Sequence, residues 1–244
     1  MKKVLFALAA VATAALPLAA SAQLTANVSL TSNYKFRGQD QDASRTKGLK
    51  PALQGGFDYA FGETGFYIGN WNSSVDWLPN NSLESDFYGG YKMTAGDFAL
   101  DFGALAYIYS GYQPAKTVEL YASAGWGPLV AKYSHTVSDG YFAFSNASGQ
   151  RLDGQGTGYF NLAYAQEVMP KVTVKAALGY TRLSSDIRHD ASTNWSNYTD
   201  YNVGAAYDFG SGVSLSGAVV GANKKDVYGF INKNRFVVTL TKAM

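Results

Sequence analysis

The chain has 244 residues, with 20 Lys and Arg against 18 Asp and Glu, two His, no Cys, 26 Gly and 15% aromatic residues. The missing cysteine excludes disulfides, thiolate zinc sites, cysteine nucleophiles and c-type haem attachment in any compartment. After Gln23 no apolar run approaches the roughly 20 residues that a membrane-spanning helix needs.

The first element is Met1-Lys2-Lys3, an apolar run from Val4 to Leu16, and Ala20-Ser21-Ala22 before Gln23. This order of charged, apolar and small residues predicts a secretory signal peptide over 1–22, cleaved after Ala22. The apolar run is too short to cross a hydrocarbon core of about 30 Å as a helix. Cleavage removes Lys2 and Lys3 and no acid, so 20 less two leaves 18 bases against 18 acids. A formally neutral mature chain gives no electrostatic reason to bind nucleic acid. Residues 23–244 suit one domain.

From 25 to 37 the chain alternates. Ala26, Val28, Leu30, Tyr34 and Phe36 share one parity, and Thr25, Asn27, Ser29, Thr31, Asn33, Lys35 and Arg37 the other. A period of two predicts an extended strand with one apolar and one polar face. Its length exceeds the five or six residues typical of soluble strands and suits a tilted membrane-spanning strand of about nine to eleven. Leu53, Phe57, Tyr59 and Phe61 repeat the pattern against Gln54 and Asp58; Leu83, Phe87, Tyr91 and Met93 repeat it against Glu84, Asp86 and Lys92. Further strands are expected near 98–108, 118–126, 129–137, 158–167, 172–182, 199–209, 213–222 and 234–242. In 65–72, Phe66 and Ile68 compete with Tyr67 and Trp71 for the apolar face.

The gaps alternate in length. Long ones at 38–50, 73–82, 110–116, 138–157, 183–198 and 223–233 separate tight ones at 62–64, 94–97, 127–128, 168–171 and 210–212. This predicts an all-β fold: a closed antiparallel transmembrane β-barrel of about 12 strands, with short periplasmic turns and longer extracellular loops. Phe61, Phe98, Trp126 and Phe209 beside the tight turns fit a periplasmic aromatic girdle. Trp195 and Tyr198 fit either the outer girdle or contacts for a surface partner. The loop from 145 to 158, rich in Gly, Ser and Gln, is expected to be mobile. A periplasmic β-sandwich is the soluble rival.

The segment Thr31-Ser32-Asn33-Tyr34-Lys35-Phe36-Arg37-Gly38-Gln39-Asp40-Gln41 resembles the opening signature of the TorF-like porins, a bacterial outer-membrane barrel family of unknown function. The resemblance implies a porin-like barrel without a known substrate. Phe236-Val237-Val238-Thr239-Leu240-Thr241-Lys242-Ala243-Met244 is similar to the last-strand signal read by the barrel assembly machinery, with Lys242 interrupting the apolar parity and Met244 in place of a terminal aromatic.

On this register Asn33 and the bases Lys35, Arg37, Lys92, Lys132, Lys175 and Arg235 turn inward with the acids Asp58, Glu84, Asp86, Asp101, Glu119, Asp200 and Asp208, while Tyr34 and Phe36 meet the interface. Six bases against seven acids predict a narrow, weakly selective channel for small polar solutes or ions in outer-membrane lipid. Lys35 and Arg37 could attract anions or pair with lumen carboxylates. Interlocked charges could also close the lumen, leaving a structural or adhesive barrel that displays its loops. A lipid-active enzyme would have to use His135 or His189. His135 is expected to face lipid near the outer rim opposite Leu120, which is no nucleophile, and His189 lies in a polar loop without fixed geometry. No catalytic residue, metal or cofactor is expected.

Overall fold

The computed structural model describes residues 24–45, 48–78, 80–146 and 152–244, so the leader expected at 1–22 lies outside them, as does the middle, 147–151, of the 145–158 loop expected to be mobile. Twelve strands close one antiparallel barrel. They are β1 (Leu24–Thr31), β4 (Ala52–Ala60), β5 (Phe66–Ser74), β6 (Leu83–Ala95), β7 (Phe98–Tyr109), β8 (Thr117–Trp126), β9 (Leu129–Thr136), β10 (Gly158–Met169), β11 (Val172–Arg182), β12 (Tyr198–Gly210), β13 (Val213–Ala222) and β14 (Arg235–Ala243). Each strand pairs with its sequence neighbour, and β1 closes the ring by pairing with both β4 and β14, Leu30 standing opposite Leu53 and Leu240.

Alternation puts one parity of each strand outside. Leu30, Leu53, Phe57, Phe87, Leu162, Leu178, Val203 and Phe236 are all exposed, a belt that runs around the whole barrel. So large an apolar surface needs lipid rather than water around it, and a soluble sandwich would bury it between sheets. Phe61, Phe98, Trp126 and Phe209 are exposed beside the short turns. In β5 both faces are aromatic for different reasons: Phe66 and Ile68 point outward, whereas Tyr67 is buried inside. Lys242, which breaks the apolar parity of β14, reaches the Ser211 carbonyl in the β12–β13 turn, so its charge escapes the belt.

The remaining two strands correct the reading of residues 25–37 as one strand. β1 ends at Thr31, and the chain folds inward into a hairpin, β2 (Lys35–Phe36) and β3 (Gln39–Asp40). The connecting pair Arg37 and Gly38 has φ of 46° and 75°, the left-handed geometry of a two-residue hairpin turn. Tyr34 and Phe36 therefore do not meet the interface; both are buried in the barrel. Two short helices, α1 (Ser185–His189) and α2 (Lys225–Tyr228), lie in the long loops.

Candidate functional site

The long-loop end of the lumen is filled. The wall contributes Leu105, Tyr107, Tyr109 and Tyr121, the hairpin contributes Tyr34 and Phe36, and the loops bring Leu78, Tyr141, Phe142, Leu183 and Ile187 into the same buried cluster. Phe36 packs edge-on against Tyr107 at 5.5 Å and Phe142 at 5.4 Å, and Tyr34 against Trp71 at 5.6 Å. Trp195 and Tyr198, expected in an outer girdle or on a partner-binding surface, instead turn inward. Trp195 packs edge-on against Phe144 at 4.6 Å and Tyr198, 2% exposed, edge-on against Tyr228 at 5.3 Å. The loops fold over the mouth, and their aromatics find a better apolar environment inside than at the rim.

Two charge nodes pin the hairpin in place. At its tip the Arg37 guanidinium donates to Glu119 of β8 at 2.7 Å and to the Tyr141 hydroxyl at 3.1 Å, with its carbon 4.2 Å from the Tyr159 ring centre and 4.8 Å from that of Phe36. At its base Asp40 lies 3.1 Å from Lys35, 3.5 Å from Lys50 and 3.0 Å from Arg235 of β14. Lys35 also donates to the carbonyls of Gly38 and Ile231, both at 2.8 Å. Burial pushes the Lys35 ammonium down to about 8 against the upward pull of Asp40. Of the two readings of these bases, pairing with carboxylates is what the geometry contains. Tyr34 adds a hydroxyl donated to Glu84 at 3.2 Å, and Gln39 reaches Asn232 at 3.0 Å.

The other inward groups lie along the wall. Asn33 is buried beside Lys50 in the first loop. Glu84, Asp86 and Glu119 are buried with the plug, and Asp200 accepts from Tyr159 at 3.2 Å. Nearer the short turns, Asp101 accepts from Tyr67 at 2.6 Å and Asp58 from Tyr88 at 2.7 Å, while Tyr67 and Tyr121 share a short hydroxyl contact. Lys92 sits over the Tyr67 ring at 4.3 Å and Lys132 over Tyr121 at 4.0 Å. Asp58, Lys92, Lys132 and Lys175 are partly exposed, so water reaches this half of the lumen. Asp208 lies at the rim, where it accepts from the Gly210 amide at 2.8 Å and fixes the turn.

Sequence reasoning missed Asp40 and the inward tyrosines. The signal for the latter is in the strands: Tyr67 stands opposite Gly90, Tyr88 opposite Gly69 and Tyr121 opposite Gly103. A Cβ on Gly69 would collide with the Tyr88 ring, and one on Gly103 with the Tyr121 hydroxyl. The glycines let the rings lie flat on the wall, where they carry the carboxylates.

His135 is exposed on the outer face with Leu120 opposite it, and its Nδ1 lies 3.3 Å from the Tyr133 hydroxyl. His189 ends α1. Among the described residues no group of three His, Asp or Glu side chains could hold a metal ion.

The family model described as "Bacterial protein of unknown function (Gcw_chp)" matches residues 15–244. No curated protein matches. Among solved structures, a KdgM porin is similar with a TM-score of 0.56 at 10% identity over 89% of this chain and 98% of that one. A second KdgM structure, in complex with disordered oligogalacturonate, gives the same TM-score of 0.56, identity of 10% and coverage of 89% and 98%. A NanC porin aligns at a TM-score of 0.57 and 9% identity over 90% of this chain and 98% of that one. At such identities the likeness is one of fold.

Proposed function

Because the chain belongs to the Gcw_chp family of bacterial proteins of unknown function, its role must be read from the barrel, and we propose that it is an exported outer-membrane porin-like channel for small polar solutes or ions. The leader over 1–22 would be cleaved after Ala22 and the last strand read by the barrel assembly machinery. The long loops then face outside and the short turns the periplasm, as barrel loop lengths require. The resemblance of residues 31–41 to the TorF-like porins belongs to this reading.

One observation carries it: a closed barrel with an apolar exterior and a charged lumen, wet at one end and stopped at the other by a hairpin held through two ionic nodes. The reading makes Asn33, Lys35, Arg37, Asp58, Glu84, Asp86, Lys92, Asp101, Glu119, Lys132, Lys175, Asp200, Asp208 and Arg235 the lining of the path. Asp40 and Lys50 add one acid and one base, so the small acidic excess is unchanged and selectivity stays weak. No step of this reading requires catalysis. Planar-bilayer conductance of refolded residues 23–244 under unequal salt tests it. Small, weakly selective steps are expected, and larger or longer ones for Arg37→Ala.

The filled mouth favours a second reading, a permanently closed barrel that presents its loops. Folded wild-type and Arg37→Ala barrels that both fail to conduct would establish it over the channel.

A further inference from the structure

Strand register arranges the outward face of β9, β10 and β11 in rows. From mid-barrel toward the long loops, pairing aligns Ala131, Leu162 and Leu178, then Tyr133, Phe160 and Tyr180, then His135, Gly158 and Arg182. The middle row is wholly aromatic and about half exposed, at 48%, 46% and 45%. An aliphatic row, an aromatic row and a cation-bearing row follow the polarity profile of a bilayer from its hydrocarbon to its headgroups.

The last row has an unusual centre. His135 and Arg182 are exposed and both stand opposite Gly158, so a position without a side chain separates two nitrogen donors. With strands about 4.8 Å apart, the two Cα atoms stand about 10 Å apart, close enough for both side chains to reach one small group between them. The Tyr133 ring occupies the floor of this notch: a Cβ on Gly158 would fall 2.6 Å from its hydroxyl oxygen, which lies 3.3 Å from His135 Nδ1. The Tyr180 hydroxyl, on the Arg182 side, accepts from Asn197 at 3.2 Å and keeps its own proton to donate. Among the described residues Arg182 forms no ion pair.

An unpaired guanidinium above a lipid-facing aromatic row is favourable where an anionic headgroup meets it, and its fork matches phosphate oxygens two at a time. We propose that the notch formed by His135, Gly158, Arg182 and the Tyr133 hydroxyl binds a phosphate of an outer-leaflet lipid whose acyl chains run down the aromatic and aliphatic rows. Arg182 supplies the paired donors from one side and His135 from the other, and Gly158, bare of a Cβ, lets the Tyr133 ring lie between them with its hydroxyl beside His135 Nδ1. The proposal rests on the outer-membrane orientation given above.

The test is lipid retention. Barrels are inserted in phosphatidylcholine bilayers doped with bisphosphorylated lipid A or its dephosphorylated form, extracted in mild detergent and weighed by native mass spectrometry. The expected result is retention of the phosphorylated lipid by wild type, about fivefold weaker retention by Arg182→Gln from the loss of one surface cation, and weaker still by Arg182→Gln with His135→Gln. Arg182→Lys should recover part of it, and Lys171→Gln at the opposite rim should change nothing. Heat-dependent gel migration shows which variants are folded. Equal retention by folded wild type and double variant, or equal retention of both lipids, would overturn the notch and leave the barrel reading intact. Failure of wild type to insert at all would instead remove the membrane orientation.

Discussion

The Arg37 guanidinium and the Glu119 carboxylate meet at 2.7 Å across 82 positions of sequence, both almost wholly withdrawn from water. One belongs to a hairpin tip and the other to the wall, so this contact ties the plug to the barrel. Removing one member of a buried pair strands the other, at about 3–5 kcal/mol. Glu119→Gln should therefore lower the urea midpoint of the refolded barrel and raise its open probability in bilayers. The double variant Glu119→Gln with Arg37→Met should recover part of the stability without closing the channel. A single variant as stable as wild type would show that the pair does not hold the plug.

Gly38 carries a second, steric dependence. Its φ is +75°, and a Cβ there would lie 2.6 Å from the Asp200 Cβ and 2.6 Å from the Gly221 carbonyl. Gly38→Ala adds strain of about 1–3 kcal/mol and a backbone clash that no side-chain motion relieves. Faster cleavage of the 32–51 loop by added protease is expected, with the strands still protected.

The two faces of the wall should respond oppositely to charge. Leu162 is 44% exposed in the outer belt, and Arg there should cost up to about 2–4 kcal/mol depending on depth. Asn161→Arg, one residue along on the inner face, should leave stability nearly unchanged and shift the reversal potential toward anions. Unfolding in lipid vesicles and bilayer reversal potentials measure the two effects.

Lys35 gives the hairpin a pH dependence of defined sign. Burial lowers its folded value to about 8 from an ordinary 10.5, so docking carries a penalty while the ammonium is charged even with Asp40 beside it. Its stabilising effect is fully present above 10.5 and is lost as pH falls through 8; between those limits an undocked lysine holds a proton that a docked one has released. Thermal stability in detergent should rise from pH 8 to 10.5 in wild type relative to Lys35→Met, and parallel curves would contradict this.

The strands were legible because a barrel wall repeats one rule, outward apolar and inward polar, and Leu53, Phe57, Leu162 and Leu178 obey it at every turn of the pleat. Residues 32–37 obeyed the same rule for another reason. A two-stranded hairpin also alternates, and nothing local distinguishes Tyr34 and Phe36 packed in a lumen from the same residues facing lipid. Arg37-Gly38 was the available sign of a turn. Trp195 and Tyr198 were misplaced because their surroundings come from loops distant in sequence, Phe144 and Tyr228 among them. The inward acids were found by parity, but their tyrosine partners were not, since each pairing depends on which glycine stands across the sheet.

Asp40 also bears on the order in which the molecule can be completed. Its three cationic neighbours come from positions 35, 50 and 235. The first two lie close to it in sequence, but the third arrives with the strand that joins the two ends of the chain. A partly assembled wall thus lacks one support of its own stopper, and the seam between the first and last strands is where the mouth learns that the wall is whole.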